Sequence, residues 1–370
     1  MVKEKIYING RFLSQIVTGV QRYAIEVLQG LDQLIESNLI DRDKYQLIVL
    51  IPKNSKATLP LQHISFQTVG KLKGQLWEQL ELPFFTFGSV LINLCNTAPM
   101  LKRNQIVTIH DASTSANRDN YSKSFALWYN ILHQVLSKRT KKIITNSKFS
   151  QSELLKYYPF HPEGMTITYL GADHIVNVEE DSSILERYNL AERSYILAVS
   201  SVNPNKNFQS VINILDQLTG NKKVVIVGNM DTPIYNKVNL ESKENIVLVG
   251  YISDGELKTL YQNAECFIFP SFYEGFGLPP LEAMYCGCPV VSSNTAAMPE
   301  VLGDAALYFN PFNSQEIAFQ VNKLTENEQL RSLYIEKGYK KSVSYTWRNC
   351  SWELFKVIEE IVKNENSHRA

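Results

Sequence analysis

The sequence predicts an α/β protein of two doubly wound domains, each a parallel sheet covered by helices. Three observations carry this. At 370 residues the chain exceeds the roughly 100–200 residues of one domain. Short apolar runs alternate with helical periodicity along its length, the pattern of βαβ units. The alternation pauses around Tyr169 to Asp173, a polar, acidic stretch from Asn177 to Ser183 follows, and the alternation then restarts, which marks a linker. The expected domains are residues 1–172 and 173–346.

In the first domain, Ile6-Tyr7-Ile8 reads as a strand. A helix follows from Thr18 to Leu34, with Val20, Ala24, Val27, Leu28, Leu31 and Leu34 on one face. Leu47 to Ile51 is a buried strand closed by Pro52, and Val90 to Ile92 and Gln105 to Ile109 are two more. Phe125 to Leu136 is an apolar helix, followed by the strand Lys142 to Thr145. Asn146-Ser147 is a natural N-cap for a helix from Ser150 to Tyr157. In the second domain the strands are Tyr195 to Val199, Val224 to Val227, Ile246 to Val249, Cys266 to Phe269 and Pro289 to Ser292. A last helix runs from Ser351 to Val362, with Trp352, Phe355, Ile358, Ile361 and Val362 apolar. Ligands of open α/β sheets bind beyond the carboxyl ends of the strands. With two such sheets, the site is expected between the domains.

Composition excludes several classes. With 44% hydrophobic and 20% charged residues the chain is globular rather than disordered. Lys+Arg and Asp+Glu both number 37, so nothing in the net charge points to nucleic acid. Cys95, Cys266, Cys286, Cys288 and Cys350 are odd in number, mostly in apolar runs, and lack zinc-ligand spacing, which fits reduced thiols of a cytoplasmic protein. No secretory leader is visible at the N-terminus, and no segment has the ~20 apolar residues of a membrane span.

The most informative stretch is Phe269 to Met284, in which a buried strand ends at Pro270 and a loop with Gly275 and Gly277 follows. Pro279 and Pro280 then suit the first turn of a helix, where a missing N–H is harmless. A helix start preceded by such a loop presents N–H groups and partial positive charge to an anion such as a diphosphate. Glu274 and Glu282, with seven residues between them, bracket this arrangement. Either carboxylate can accept hydrogen bonds from sugar or ribose hydroxyls. Taken singly, each is as readily a solvated loop charge or a helix-dipole partner.

The spacing Glu274 to Glu282 resembles the E-x7-E motif of the retaining GT-B glycosyltransferases of family four, which include bacterial mannosyltransferases and glycogen synthases. Further segments are similar to that family: Cys286 to Ser292, Met298 to Val301, Gly303 to Ala306, Val249 to Ile252, Leu257 to Ala264 and Asn205-Lys206-Asn207. In the first domain Thr18-Gly19-Val20, Ile109-His110-Asp111 and Thr145 to Ser150 also match.

The resemblance implies a GT-B fold, two Rossmann-like domains facing across a cleft, with acceptor bound by the first and nucleotide sugar by the second. It implies that residues 347–370 return as a helix to the first domain. Glu274 would hold donor-sugar hydroxyls and Glu282 the ribose. Backbone N–H groups of the loop Gly275 to Leu278, those of Phe276, Gly277 and Leu278, would meet sugar and diphosphate. Lys206 would neutralise the leaving diphosphate. Gly19 would let the first glycine loop approach that phosphate, and His110 would help position the reacting centre. The chain departs from the family at Ser200-Ser201, where many relatives carry Gly-Arg, and at Asn205, where Arg is common. Charge stabilisation would then rest more heavily on Lys206 and the helix start. No Asp-x-Asp ends a strand, so neither a metal nor another cofactor is expected.

The implied activity is retaining transfer of a hexose to a saccharide or lipid-linked oligosaccharide in bacterial surface-polysaccharide synthesis. The leading donor is GDP-mannose, with UDP-hexoses and dTDP-rhamnose as alternatives. A GT-B epimerase or phosphorylase would share the fold, and a non-catalytic sugar-nucleotide-binding partner subunit would share the site. His63, His133, His161, His174 and His368 are read as structural or solvated. The basic run Lys138 to Lys142, after Phe125, Leu127, Trp128, Ile131, Leu132 and Val135, admits peripheral contact with anionic lipid at the inner face of the cell membrane or a core helix with a solvated end. The core helix is the preferred reading. Leu76 to Phe87 raises the same question.

Overall fold

The computed structural model describes residues 3–53, 55, 59–199, 203–220, 222–228 and 245–369. It divides into two compact units, Met1–Gly171 with Thr346–Ala370, and Ala172–Tyr345. Asn177 to Ser183 thus lies inside the second unit, and the final helix is grouped with the first.

Unit 1 is built on β1 (Glu4–Asn9), β2 (Tyr45–Ile51), β3 (Ser65–Thr68), β4 (Val90–Asn93), β5 (Gln105–Thr108), β6 (Lys142–Thr145) and β7 (Met165–Ile167). They form one sheet in the order β3-β2-β1-β4-β5-β6-β7, and every pair is parallel. Helices cover both faces of such a sheet, which is why β2 and β4 read as near-continuous apolar runs. The strand order changes direction between β1 and β4, so the ligand-binding crevice of this sheet lies beyond Asn9 and Asn93. Two edge strands, β3 and β7, were not foreseen. Ser65–Thr68 is mostly exposed and polar, as a sheet edge tolerates, and so carries no apolar run.

The helix Gly19–Glu36 buries Tyr23, Ala24, Val27, Leu28, Leu31 and Leu34, the expected stripe with Tyr23 added and with Val20, at the first turn, only half-buried. It packs on the final helix, Trp347–Arg369. A Cβ on Gly30 would collide with Ser351, whose hydroxyl donates to Val27 O at 3.2 Å. Ser147 caps the helix Lys148–Tyr157 by accepting from Ser150 N at 2.9 Å. The helix Lys123–Arg139 differs from expectation. Ala126, Leu132, His133 and Leu136 face the core, but Phe125, Leu127 and Ile131 are 43%, 53% and 47% exposed. Only part of the predicted apolar face is core, and the core-helix reading is corrected accordingly.

Unit 2 contains β8 (Tyr195–Val199), β9 (Lys223–Val227), β10 (Ile246–Gly250), β11 (Cys266–Phe269), β12 (Val290–Ser293) and β13 (Ala306–Phe309). The order is β10-β9-β8-β11-β12-β13, again parallel throughout. Ile196, Ala198, Val224, Ile226, Cys266, Ile268 and Val291 from the strands pack against Val211, Ile317, Val321 and Leu324 from helices. Here the strand order changes direction between β8 and β11. The unforeseen strand is β13, an edge that begins inside the Gly303 to Ala306 segment. All five cysteines are free thiols. No described helix is long and apolar enough to cross a membrane.

Candidate functional site

The chemistry-bearing residues of unit 2 gather beyond the carboxyl ends of β8 and β11, where the strand order turns. After β8 the chain enters the turn Pro204–Lys206, in which the Asn203 side chain accepts from Asn205 N at 3.0 Å. Asn207 follows in a left-handed conformation, φ 49°, and its amide donates to Pro270 O at 3.1 Å and Pro311 O at 2.9 Å. Phe272 N donates to Asn205 O at 2.7 Å. The turn is thereby tied to the end of β11, and Lys206 is held against the loop that carries Glu274.

Lys206 Nζ lies 2.5 Å from Glu274 Oε1 and 5.5 Å from the centre of the Phe269 ring. Both charged side chains are mostly buried, so the pair sits where screening is weak. Gly277 then takes φ +93°, a conformation that glycine adopts without strain, and opens the helix Leu278–Tyr285. Pro279 and Pro280 bring no N–H, so of the first four helical residues only Leu278 and Leu281 have one. The prolines thus concentrate the donors of this helix start at Leu278, beside Gly275, Phe276 and Gly277. The Phe276 side chain is buried edge-on against Tyr345, with ring centres 5.7 Å apart.

Glu282 is one turn further into the helix and is held differently. Its Oε2 accepts from Tyr261 Oη at 3.1 Å, and its Oε1 is 3.1 Å from His174 Nε2. Burial, with the Glu282 charge adding to it, pushes the Tyr261 hydroxyl well above the usual phenol range, so it stays a donor. Lys206 and Glu274 are therefore brought together, while Glu282 has its own partners. Sequence reasoning missed His174 and Tyr261. Neither lies within twenty residues of Glu282, so no local spacing could reveal them. Ser200 and Ser201 lie outside the described residues.

In unit 1, Gly19 opens its helix behind Thr18, whose N–H donates to Gln21 Oε1 at 3.2 Å. A Cβ on Gly19 would meet nothing within 4 Å, and its φ is not positive. Neither packing nor backbone geometry demands glycine there. His110 is buried just after β5. Its N–H donates to Asn96 Oδ1 at 2.7 Å, and its Nε2 lies 3.1 Å from Leu94 O. Facing a carbonyl, Nε2 carries the ring proton. Burial lowers the His110 pKa to about 4, against a small opposing effect of the Leu94 bond. The imidazole is thus neutral near pH 7. The Tyr23 ring stands edge-on at 4.7 Å, linking His110 to the helix that Gly19 begins.

Together these features suit an anionic, hydroxyl-rich ligand at unit 2. A cation and a helix start can face phosphate, and two carboxylates can accept from hydroxyls.

Residues 182–341 match the family model described as Glycosyl transferases group 1. The chain is 31% identical over 266 residues to the O-antigen chain mannosyltransferase B of Escherichia coli, covering 69% of this chain and 70% of that protein. It is 27% identical over 322 residues to the O-antigen chain mannosyltransferase RfbU of Salmonella typhimurium, covering 82% and 86%. Among solved structures, Anabaena Alr3699/HepE in complex with UDP and glucose superimposes with a TM-score of 0.73, at 17% identity over 97% of this chain and 100% of that one. At that identity the likeness is one of fold.

Proposed function

Because the chain belongs to the glycosyl transferases of group 1 and is thus a glycosyltransferase, we propose that it moves mannose from GDP-mannose to a saccharide or lipid-linked oligosaccharide acceptor, with retention, in bacterial surface-polysaccharide synthesis. The single observation that carries the choice of sugar is the 31% identity to an O-antigen chain mannosyltransferase across two thirds of the chain. Family-four membership and retention rest on the E-x7-E spacing of Glu274 and Glu282.

In this reading unit 2 takes the donor and unit 1 the acceptor. The diphosphate draws Lys206 toward itself, and Glu274 turns to the hydroxyls of the sugar. The amides of Phe276, Gly277 and Leu278 meet the diphosphate, and Gly19 offers bare backbone to phosphate. Glu282, steadied by Tyr261 and His174, accepts from the ribose hydroxyls. The bond from the anomeric carbon to the phosphate oxygen breaks, and the acceptor oxygen bonds to that carbon on the same face. The departing diphosphate takes the acceptor proton. His110, neutral at working pH, contributes hydrogen bonding rather than charge. Lys206 and the helix start carry the leaving-group charge, and no metal or cofactor enters the scheme.

The enzyme works in the cytoplasm, where nucleotide sugars are made. The exposed Phe125, Leu127 and Ile131, on a helix whose last turn carries Lys138 and Arg139, support peripheral contact with an anionic membrane face carrying a lipid-linked acceptor. A second donor reading, UDP-hexose, is favoured by the UDP and glucose bound in the Anabaena neighbour of the same fold.

A thermal-shift panel with GDP, UDP, dTDP and their common sugars tests the reading. A ligand at a hundred times its dissociation constant stabilises the folded state by about 2.7 kcal/mol. Shifts with GDP and GDP-mannose, and with no UDP or dTDP ligand, are expected. Shifts with the UDP ligands alone replace the donor, and no shift with any of them removes the donor site.

A further inference from the structure

Glu78 is a buried carboxylate of unit 1 that the scheme above does not use. It is 1% exposed and sits on the π-helical turn Trp77–Glu81. Such turns are uncommon and recur at functional sites. One carboxylate oxygen is saturated: Oε1 accepts from Asn9 Nδ2 at 2.7 Å, Thr97 Oγ1 at 3.0 Å and Arg11 Nε at 3.1 Å. Arg11 Nη2 donates to the same Thr97 hydroxyl at 2.7 Å, which fixes that hydroxyl as donor to Glu78. The other oxygen, Oε2, is buried and has no hydrogen-bond partner among the described residues. A buried carboxylate oxygen left without a donor is costly, and a native fold keeps one only for a reason.

Glu78 lines a small, partly open pocket with Asn9, Arg11, Phe12, Leu94 and Cys95. Asn9 ends β1, and Leu94 and Cys95 follow β4. The pocket therefore lies at the point where the strand order of this sheet turns, the ligand-binding edge of an open α/β sheet. It also adjoins both candidate residues of unit 1. Leu94 O is the partner of His110 Nε2 at 3.1 Å, and Cys95 Sγ lies 3.6 Å from the carbonyl of Val20, the residue after Gly19.

Charge selects the ligand class. Arg11 neutralises Glu78 across 3.1 Å, so the pocket favours neither a metal cation nor an anion. What remains is one buried acceptor oxygen in a space fit for a single small group, which calls for an O–H donor. We propose that this pocket is a saccharide-hydroxyl subsite, with Glu78 Oε2 accepting from one hydroxyl of the acceptor sugar. The assignment of that sugar as acceptor rests on the transferase reading. The subsite makes Glu78 a specificity residue, because a sugar lacking that hydroxyl leaves Oε2 unpaired.

The test titrates the full chain with methyl α-mannoside, its monodeoxy analogues and α-mannobiose, followed by ligand-observed saturation-transfer NMR. Wild type and Glu78→Gln are compared, and the thermal shift with GDP-mannose is recorded for each. Expected are at least tenfold weaker saccharide binding in Glu78→Gln with the GDP-mannose shift kept, and one deoxy analogue at least tenfold weaker on wild type alone. Equal saccharide affinity in the two proteins, or no saccharide binding by wild type, overturns the subsite. Should Glu78→Gln not fold, a wild-type crystal soaked in mannobiose decides. A sugar oxygen about 3 Å from Oε2 supports the subsite, and a sugar bound elsewhere, or none, overturns it. A GDP-mannose shift without saccharide at Glu78 leaves the transferase reading standing and the subsite fallen. Saccharide at Glu78 without any nucleotide shift does the reverse.

Discussion

His174 Nε2 lies 3.1 Å from Glu282 Oε1, and both side chains are almost wholly buried. A hydrogen bond to a charged acceptor of this kind contributes about 1.5–3 kcal/mol. Part of that fixes the Glu282 carboxylate where a ribose diol would meet it. His174→Ala is expected to weaken GDP binding roughly tenfold, the equivalent of about 1.4 kcal/mol, with kcat nearly unchanged. His174→Gln, which keeps an N–H near the same place, restores part of the affinity. Calorimetric titration with the nucleotide checks this. Equal nucleotide affinity in wild type and His174→Ala would show that the contact serves folding alone.

The pair Lys206–Glu274 predicts a coupled loss. Each group is assigned to the donor, yet each also holds the other at 2.5 Å. Lys206→Ala removes the charge facing the leaving diphosphate and is expected to lower kcat by roughly a hundredfold or more, as the loss of one well-placed stabilising group does. Glu274→Ala is expected to lose as much, because the donor sugar is no longer held. The double variant should lose less than the product of the singles, since each substitution already breaks the shared contact. Steady-state rates for the three variants check this, and unchanged turnover in Glu274→Ala removes it from the mechanism.

The sequence made the frame of both units legible because buried parallel strands must be apolar on both faces. Tyr195 to Val199 and Cys266 to Phe269 have no other reading that fits their neighbours. The edge strand Ser65–Thr68 was not legible, because an edge needs neither length nor continuous apolar character, whereas Ala306–Phe309 is apolar throughout and its pattern was open to reading. At the site, Glu274, Gly277 and Glu282 announce themselves by local spacing around one strand–loop–helix joint. His174, Tyr261 and Glu78 do not. Their partners come from elements brought together only by folding, 69 residues apart in the case of Asn9 and Glu78.

Gly277 and Gly19 should respond to alanine in opposite ways. At Gly277 the backbone has φ +93°, and an added Cβ would run into Met298. Gly277→Ala is expected to destabilise by about 1–3 kcal/mol, read as a lower urea midpoint. At Gly19 the backbone is ordinary and the space is open. Gly19→Ala is expected to leave stability within about 0.5 kcal/mol, as surface substitutions do. If bare backbone at that helix start faces phosphate, the same variant loses transfer activity while folding normally. Urea unfolding and rate measurements on the two variants separate the roles, and full activity in Gly19→Ala excludes the phosphate contact.

Acid should destabilise unit 1 in a window set by two buried histidines. Burial lowers His110 and His133 from 6.5 to about 4, each against a weaker backbone hydrogen bond. In the unfolded chain both rings take up a proton near pH 6.5, whereas in the folded chain they resist until about pH 4. The unfolded state therefore binds more protons across that interval, and stability falls as the pH drops through it. At about 1.4 kcal/mol per unit, each ring accounts for roughly 3 kcal/mol between neutral pH and pH 4. His133→Gln, which remains neutral at every pH, is expected to flatten the dependence of unfolding free energy on pH between 6.5 and 4 relative to wild type. The substitution costs some stability at pH 7, because the ring packs edge-on against Tyr158 at 5.1 Å. The slope, not the absolute value, therefore carries the result. Urea titrations at several pH values would show parallel curves for variant and wild type if His133 were already protonated in the folded protein.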